Sequence, residues 1–351
     1  MSTKSQVIAA LYQYLFKPLA FALDPELVHD LITTIGESLE NLPRLVSFLF
    51  SYSRPDLKKT VLGTEFANPV GLAAGFDYDG HLAKVLPAVG FGFNTVGTVT
   101  ARSYAGNPAP RLGRLPKSKS LLVNKGFKSE GADKVAHRLD QKQLSFGTLG
   151  ISVGSSNLPE VNSIDKAISD YLYTFNVFKT RPYVKYFELN ISCPNTAMPE
   201  SFVASQNFKL LVQAVKKEKI TQPIFIKMPN EISFADSDKL VEVALENGIS
   251  GFIFSNLVKN RNNPGFDKTE IARFEKFKGN FSGRPTFVNS NSLIIHTRKK
   301  FGSRVAIIGC GGIFSPKDAR KKLSAGADLV QLITGMIYQG PQLPAQICET
   351  L

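Results

Sequence analysis

Cysteine and histidine are scarce in this chain of 351 residues, and each scarcity excludes some chemistry. The three cysteines, Cys193, Cys310 and Cys348, are odd in number and have no paired spacing. That argues against a disulfide framework or a zinc site and for a reducing compartment. With four histidines and no H-x-x-x-H arrangement, no metal centre is expected. Long apolar runs are also missing. No stretch reaches the roughly 20 residues that a membrane span requires. The N-terminal apolar stretch holds Gln, Tyr, Lys and Pro and lacks a small-residue cleavage site, so no signal peptide is expected.

What the chain does have is positive charge, apolar residues and glycine. The net charge is +13, but the lysines and arginines are spread along the sequence. No RNA-binding signature or basic helix stands out, so nucleic acid is not an expected partner. At 43% hydrophobic residues and 27 glycines, the chain can bury one large core or two modest ones.

Residues 1–52 differ from the rest. Val7, Ile8, Leu11, Leu15, Leu19 and Ala22 recur at helical spacing, with an interruption expected at Pro18. Asp24 reads as an N-cap with Pro25 at the first helical position. Leu27, Val28, Leu31, Ile32, Ile35 and Leu39 continue as an amphipathic helix, and "LPRLVSFLFSY" adds further apolar residues. The pattern fits either a helical cap on the main domain or a small helical domain lying on a membrane surface.

From about residue 60, short apolar runs alternate with segments of helical pattern. The runs are "NPVGLAAG" (68–75), "FNTVGTVT" (93–100), "TLGISVG" (148–154), "YFELNIS" (186–192), "PIFIKMP" (223–229), "GFIFSN" (251–256), "RVAIIGCGG" (304–312) and "DLVQLITG" (328–335). Buried parallel strands read as continuous apolar runs, and eight βα units that close on themselves make a TIM (β/α)8 barrel. The expected fold is therefore α/β, a barrel over 53–351 preceded by the N-terminal helical domain.

A barrel of this kind carries its site at the C-terminal strand ends. There the sequence places Ala74 and Gly75, Gly97 and Thr98, Ser152, Asn190 and Cys193, Lys227, Ser255 and Asn256, Gly311 and Gly312, and Thr334 and Gly335. The glycines that end strands seven and eight suit a phosphate held by backbone N–H groups. Lys227, in the apolar run "FIKMP", either snorkels to solvent or sets a fixed positive charge against something that becomes anionic. Cys193 stands in "NISCPNT", after a strand and between two asparagines. It is either a small buried apolar residue or, at the barrel mouth, a thiol serving as base or nucleophile. Cys310 and Cys348 fit the inert role.

Together "NPVGLAAGFDYDG", "GFGFNTVGTVT", "NISCPNT", "IIGCGGI" and "LVQLITGMIYQGP" resemble the motifs of the dihydroorotate dehydrogenase family, in its order and over nearly the whole chain. "FKPLAFALDPELVHDL" resembles the helical extension of the membrane-associated, quinone-using class 2 members. The resemblance implies FMN in the barrel mouth and oxidation of (S)-dihydroorotate to orotate in pyrimidine synthesis. A quinone would be the acceptor, and the protein would sit peripherally on the cytoplasmic face of a bacterial inner membrane. By position it implies FMN contacts from Ala74, Gly75, Thr98, Ser152, Asn190, Lys227, Ser255, Gly283, Gly311, Gly312, Ile333, Thr334 and Gly335. It implies substrate contacts from Asn124, Gly126, Phe127, Asn190, Asn195, Asn256 and Leu257, with Cys193 as the catalytic base. Lys227 would stabilise charge on the reduced flavin.

The chain departs from the family pattern around this site. Cys193 stands where class 2 has serine, Tyr78 where the family has lysine, Ser152 where asparagine is usual and Leu257 where threonine is. Ile333 replaces a tyrosine, and the loop "NKGFKS" is one residue short, with Lys128 in place of an amide. Lys125 or Lys128 is expected to supply the cation lost at Tyr78. Two further readings come with these departures: a related flavin barrel enzyme acting on another dihydropyrimidine, and a flavin-binding protein without turnover.

Overall fold

The computed structural model describes residues 2–144, 147–192 and 202–351. Each of the eight apolar runs overlaps a strand: β1 (Val70–Leu72), β2 (Phe93–Val99), β3 (Thr148–Val153), β4 (Val184–Asn190), β5 (Ile224–Met228), β6 (Gly251–Phe254), β7 (Ala306–Cys310) and β8 (Leu329–Leu332). They form one closed parallel barrel in which β8 returns to β1, Val330 opposite Val70. The strands are buried on both faces, outward under helices and inward in the barrel, which is why they read as continuous apolar runs.

Alternation along the strands sorts the interior by height. At the N-terminal end Phe93, Tyr186 and Phe225 pack with Phe66 of the hairpin Lys59–Val61/Thr64–Phe66, ring centroids 5.0 to 6.1 Å apart. Two residues further along come Thr95 and Glu188, joined by Gln331. Thr95 Oγ1 and Gln331 Nε2 both donate to Glu188 Oε1, at 2.6 Å each. Two residues beyond Phe225 and Glu188 stand Lys227 and Asn190, the floor of the barrel mouth.

The N-terminal segment forms α1 (Thr3–Leu11), a π-helical turn (Tyr12–Phe16), α2 (Lys17–Ala22), α3 (Pro25–Ser38) and α4 (Pro43–Phe50). The expected break at Pro18 does not occur. The wide turn before it passes from Tyr12 O to the N–H of Lys17, and Pro18 then falls in the first turn of α2, where its missing N–H leaves no gap. Asp24 caps α3 as expected, its Oδ1 accepting from the N–H of Glu26 (2.8 Å) and Leu27 (3.1 Å).

These helices rest on the barrel. Val46 of α4 is only 2% exposed and packs in one apolar cluster with Leu57, Leu82, Val85 and Leu86. Tyr12 Oη donates to Ile337 O (2.7 Å), and Gln13 Nε2 to Tyr338 O (2.7 Å). On the outer side Leu11, Tyr14, Leu19, Leu27, Leu31 and Phe48 are more than half exposed. Among the described residues no helix is long and apolar enough to cross a membrane. A three-stranded antiparallel sheet (Leu112–Leu115, Ser120–Val123, Asn280–Phe281) adds a flank that the sequence reading did not foresee.

Candidate active site

One cavity of about 800 Å³ begins at the C-terminal strand ends and runs outward beneath the N-terminal helices. Ala74, Gly75, Thr98, Asn190 and Lys227 form its inner end. Ser255, Asn256 and Leu257 follow β6 along one wall. Gly283, Gly311 and Gly312, then Ile333, Thr334 and Gly335, form another. Tyr78 and the loop residues Lys125, Gly126, Phe127 and Lys128 border the opening. Two expected contacts stand behind this lining. Ser152 Oγ is 3.0 Å from Thr98 Oγ1, and Asn124 Oδ1 accepts from Asn107 Nδ2 (3.0 Å). Cys193 and Asn195 lie outside the described residues.

The floor is a chain of oriented amides and hydroxyls. Asn190 Nδ2 donates to Thr98 Oγ1 (3.1 Å), and Asn256 Nδ2 donates to Ser192 Oγ (2.9 Å). Ser192 Oγ in turn donates to Lys227 O at 2.7 Å. The residue just before Cys193 is thus pinned to the end of β5. Asn190 Oδ1 accepts from Asn256 Nδ2 and from the N–H of Ser192, both at 3.4 Å, and Asn256 Oδ1 from the N–H of Leu257 (2.9 Å). One Asn190 N–H and the second lone pair of Asn256 Oδ1 remain to meet a planar heterocycle.

Lys227 is 7% exposed and does not snorkel to solvent. Its Nζ donates to Cys310 Sγ at 3.4 Å, so a largely desolvated ammonium faces the cavity beside a thiol.

The glycines of this wall pack against neighbouring backbone and side chains with no room for a Cβ. A Cβ on Gly312 would lie 2.5 Å from Phe287 Cβ, and one on Gly335 would lie 1.8 Å from Ile313 O. Gly312 also holds φ +73°, which glycine adopts without strain. The three glycine segments meet: a Cβ on Gly283 would approach Thr334 Cγ2 to 3.0 Å, and Ser282 Oγ sits 2.8 Å from Thr334 Oγ1. A wall of glycine backbone edged by the Ser282 and Thr334 hydroxyls suits the phosphate end of a flavin.

At the mouth, Lys125 is committed elsewhere than expected. Its ammonium pairs with Glu26 of α3 and stands over the Tyr78 ring, 5.4 Å from the centroid. Arg111 Nε takes the other oxygen of Glu26 at 2.9 Å. Burial pushes Glu26 upward, but the hydrogen bonds and charges of Lys125 and Arg111 outweigh it and hold the carboxyl below its usual range. For Lys125, burial outweighs the pair and lowers the ammonium.

Some residues in or behind the cavity wall escaped the sequence reading. Asn230 Nδ2 donates to Ser255 Oγ (2.6 Å) and Thr286 O (3.0 Å), bracing two walls. It follows strand five by two residues, one beyond the run as read. Val28 and Ile32 of α3, with Tyr12 and Phe16 of the π-turn, line an apolar outer arm. Val28 and Ile32 were legible as part of an amphipathic helix, but not which side would face a cavity, and Tyr12 and Phe16 fell outside the apolar pattern.

Comparison with known proteins agrees with this architecture. The family described as Dihydroorotate dehydrogenase matches residues 56–351. A "Dihydroorotate dehydrogenase (quinone)" of Chloroflexus aurantiacus is 33% identical, covering 97% of this chain and 95% of its own. One of Acaryochloris marina is 35% identical over 97% of this chain and 94% of its own. Among solved structures, DHODH from Eimeria tenella in complex with ferulenol superposes with a TM-score of 0.80 at 27% identity, covering 94% of this chain and 93% of that one. A match of this extent, shared by sequence and fold, establishes that the chain belongs to the dihydroorotate dehydrogenase family.

Proposed function

We propose that the protein oxidises (S)-dihydroorotate to orotate, with FMN as its bound cofactor and a membrane quinone as electron acceptor, in pyrimidine synthesis. The observation that carries this reading is the single cavity with a polar inner end and an apolar outer arm. A polar heterocycle and a lipid-soluble acceptor can both reach the same centre from it. The named relatives support the pairing of dihydroorotate with quinone.

When bound, FMN supplies the hydride acceptor and the two-electron link to the quinone. The glycine wall would hold its phosphate, and Thr98, Asn190, Lys227 and Ser255 would hold the ring system. Lys227 sets a positive charge where negative charge accumulates during reduction. Asn190 and Asn256, each oriented by its own hydrogen bonds, hold the substrate ring in register. Cys193, adjacent to the pinned Ser192, removes the C5 proton as the C6 hydride leaves. With Lys125 taken by Glu26, Lys128 at the cavity wall is the cation placed to meet the substrate carboxylate.

Residues 1–52 serve as the quinone unit in this reading. The exposed apolar side chains of α1, α3 and α4 rest on the bilayer surface, on the cytoplasmic side of a bacterial inner membrane.

The test has two steps. Cofactor released by heat is identified by mass, and FMN is expected. Anaerobic dihydroorotate should then bleach the flavin absorbance, and a quinone analogue should restore it. A dinucleotide cofactor, or a flavin left oxidised by dihydroorotate, would overturn the reading.

A further inference from the structure

Lys322 brings a positive charge to a place where the reaction above makes no use of it. It lies on the helix Pro316–Ser324 and is completely buried. Its Nζ donates to two neutral oxygens, Ser290 Oγ at 2.6 Å and Asn291 Oδ1 at 3.0 Å. Among the described residues no carboxylate forms an ion pair with it. Asp318, on the same helix, already accepts from the N–H of Phe314 and the hydroxyl of Ser315, and pairs with Arg284 at 3.4 Å. An unpaired ammonium in a core is costly unless something nearby compensates it.

Its surroundings lead straight to the glycine wall. The ammonium stands 5.0 Å from the centroid of the Phe287 ring, and Phe287 is the residue that a side chain on Gly312 would strike. Ser290 Oγ, three residues after Phe287, lies 2.8 Å from Phe254 O and 2.9 Å from Cys310 O and shares its one O–H between them. These carbonyls end β6 and β7 and immediately precede Ser255 and Gly311, both on the cavity wall. Lys322 therefore stands one side chain behind the cradle and is tied through Ser290 to the two strand ends that shape it.

We propose that Lys322 is the buried countercharge of the anion held in the glycine cradle, a positioning residue that acts on the cofactor phosphate through space and through Ser290 without touching it. This rests on the reading of the cradle as a phosphate site. The titration of the ammonium agrees with the geometry. Burial pushes it down to about 7, against smaller upward contributions from Cys310 on β7 and Asp318 on its own helix. Arg284, paired with Asp318 and 5.8 Å from the Phe287 ring centroid, is the other cation on this side. A bound phosphate would favour the protonated form.

The experiment compares FMN with riboflavin, which lacks the phosphate, on full-length protein stripped of flavin. Fluorescence quenching gives both dissociation constants for the parent, Lys322→Met, Lys322→Arg and Ser290→Ala. Lys322→Met is expected to weaken FMN about tenfold and leave riboflavin unchanged, the size of one charge acting through a partly desolvated interior. Lys322→Arg should keep most of the FMN affinity. In the parent, the ratio of the FMN constant to the riboflavin constant should rise between pH 7 and 9.5 as the ammonium deprotonates. That measurement stands even if Lys322→Met does not fold. Equal weakening of both ligands, or a ratio that stays flat with pH, would overturn the proposal. Parent protein that binds riboflavin as tightly as FMN would instead overturn the phosphate-site reading beneath it.

Discussion

Glu26 and Lys125, 99 residues apart in the chain, form an ion pair that fastens helix α3 to the loop at the cavity mouth. The pair joins the segment assigned to the quinone with the segment assigned to the substrate. Arg111 completes it from the barrel side.

Glu26→Gln should therefore loosen both segments. It leaves two cations around one neutral amide, and unfolding free energy at pH 7 should fall by about 2–3 kcal/mol, less than for a fully buried pair because Glu26 keeps some exposure. The folded-state pKa of Glu26 is depressed, so its contribution is present above the unfolded value and is lost as pH falls through the folded one. Urea unfolding should show the gap between parent and variant closing below about pH 4. The KM for dihydroorotate should rise more than kcat falls. A gap independent of pH would mean that the carboxylate charge is not what holds the helix.

Lys227→Met keeps the length of the side chain and removes the charge. Flavin should still bind, because the glycine wall is untouched. Its reduction by dihydroorotate should slow by about two to three orders of magnitude, the usual cost of one lost electrostatic contact to developing charge. Stopped-flow bleaching measures this directly, and an unchanged rate would remove Lys227 from the chemistry.

Cys193→Ala should leave flavin bound and slow its reduction by roughly two to four orders of magnitude, the usual worth of a general base. Cys193→Ser, which restores a proton-accepting group, should recover part of the loss and move the pH profile of reduction upward. Reduction at the parent rate in the alanine variant would place the base elsewhere.

Which parts of this were legible in the sequence follows from the range of the forces involved. All eight barrel strands could be read because burial on both faces leaves an unbroken apolar run. The Asp24 cap was legible for a related reason, since capping is decided within four residues. Pro18 misled because a proline usually ends a helix, and the π-turn that accommodates it leaves no composition signal. Glu26 with Lys125, and Lys322 with Ser290, were hidden because each joins residues remote in the chain. Most of the strand-end residues named from the sequence share one cavity because the barrel gathers strand ends together, whatever their separation in the chain. Short antiparallel strands such as Leu112–Leu115 are too brief for alternation to register.

Lys322→Met should make the flavin-free protein more stable, not less. The folded-state pKa of about 7 lies below the ordinary lysine value of 10.5, so folding must bury a charge or expel a proton. Below pH 7 both states are protonated and the penalty is full, about 2–5 kcal/mol. Between pH 7 and 10.5 the unfolded chain binds more protons than the folded one, and parent stability rises. Chemical unfolding at pH 6 and pH 10 should show the methionine variant ahead at pH 6 and the gap narrowing at pH 10. A variant less stable at both values would mean that the ammonium's hydrogen bonds to Ser290 and Asn291 outweigh its desolvation.

The apolar outer arm can be tested without removing the helices. Deleting residues 1–52 would remove Val46 from its apolar cluster and uncover Leu57, Leu82 and Val85, so a truncated protein could fail for reasons unrelated to quinone. A larger side chain inside the arm is cleaner. Ile32 is half-buried on α3 and faces the cavity, and Ile32→Trp fills space there while keeping the surface apolar. Flavin reduction by dihydroorotate should proceed within about twofold of the parent rate, since the amide floor and Lys227 are unaffected. Reoxidation by a long-chain quinone analogue should slow at least about tenfold, because overpacking blocks a site that dispersion and burial would otherwise fill. A small water-soluble acceptor that does not need the arm should reoxidise both proteins alike. If the long-chain quinone reacts at the parent rate with Ile32→Trp, electrons leave the flavin by another route and the helices serve only to close the barrel mouth.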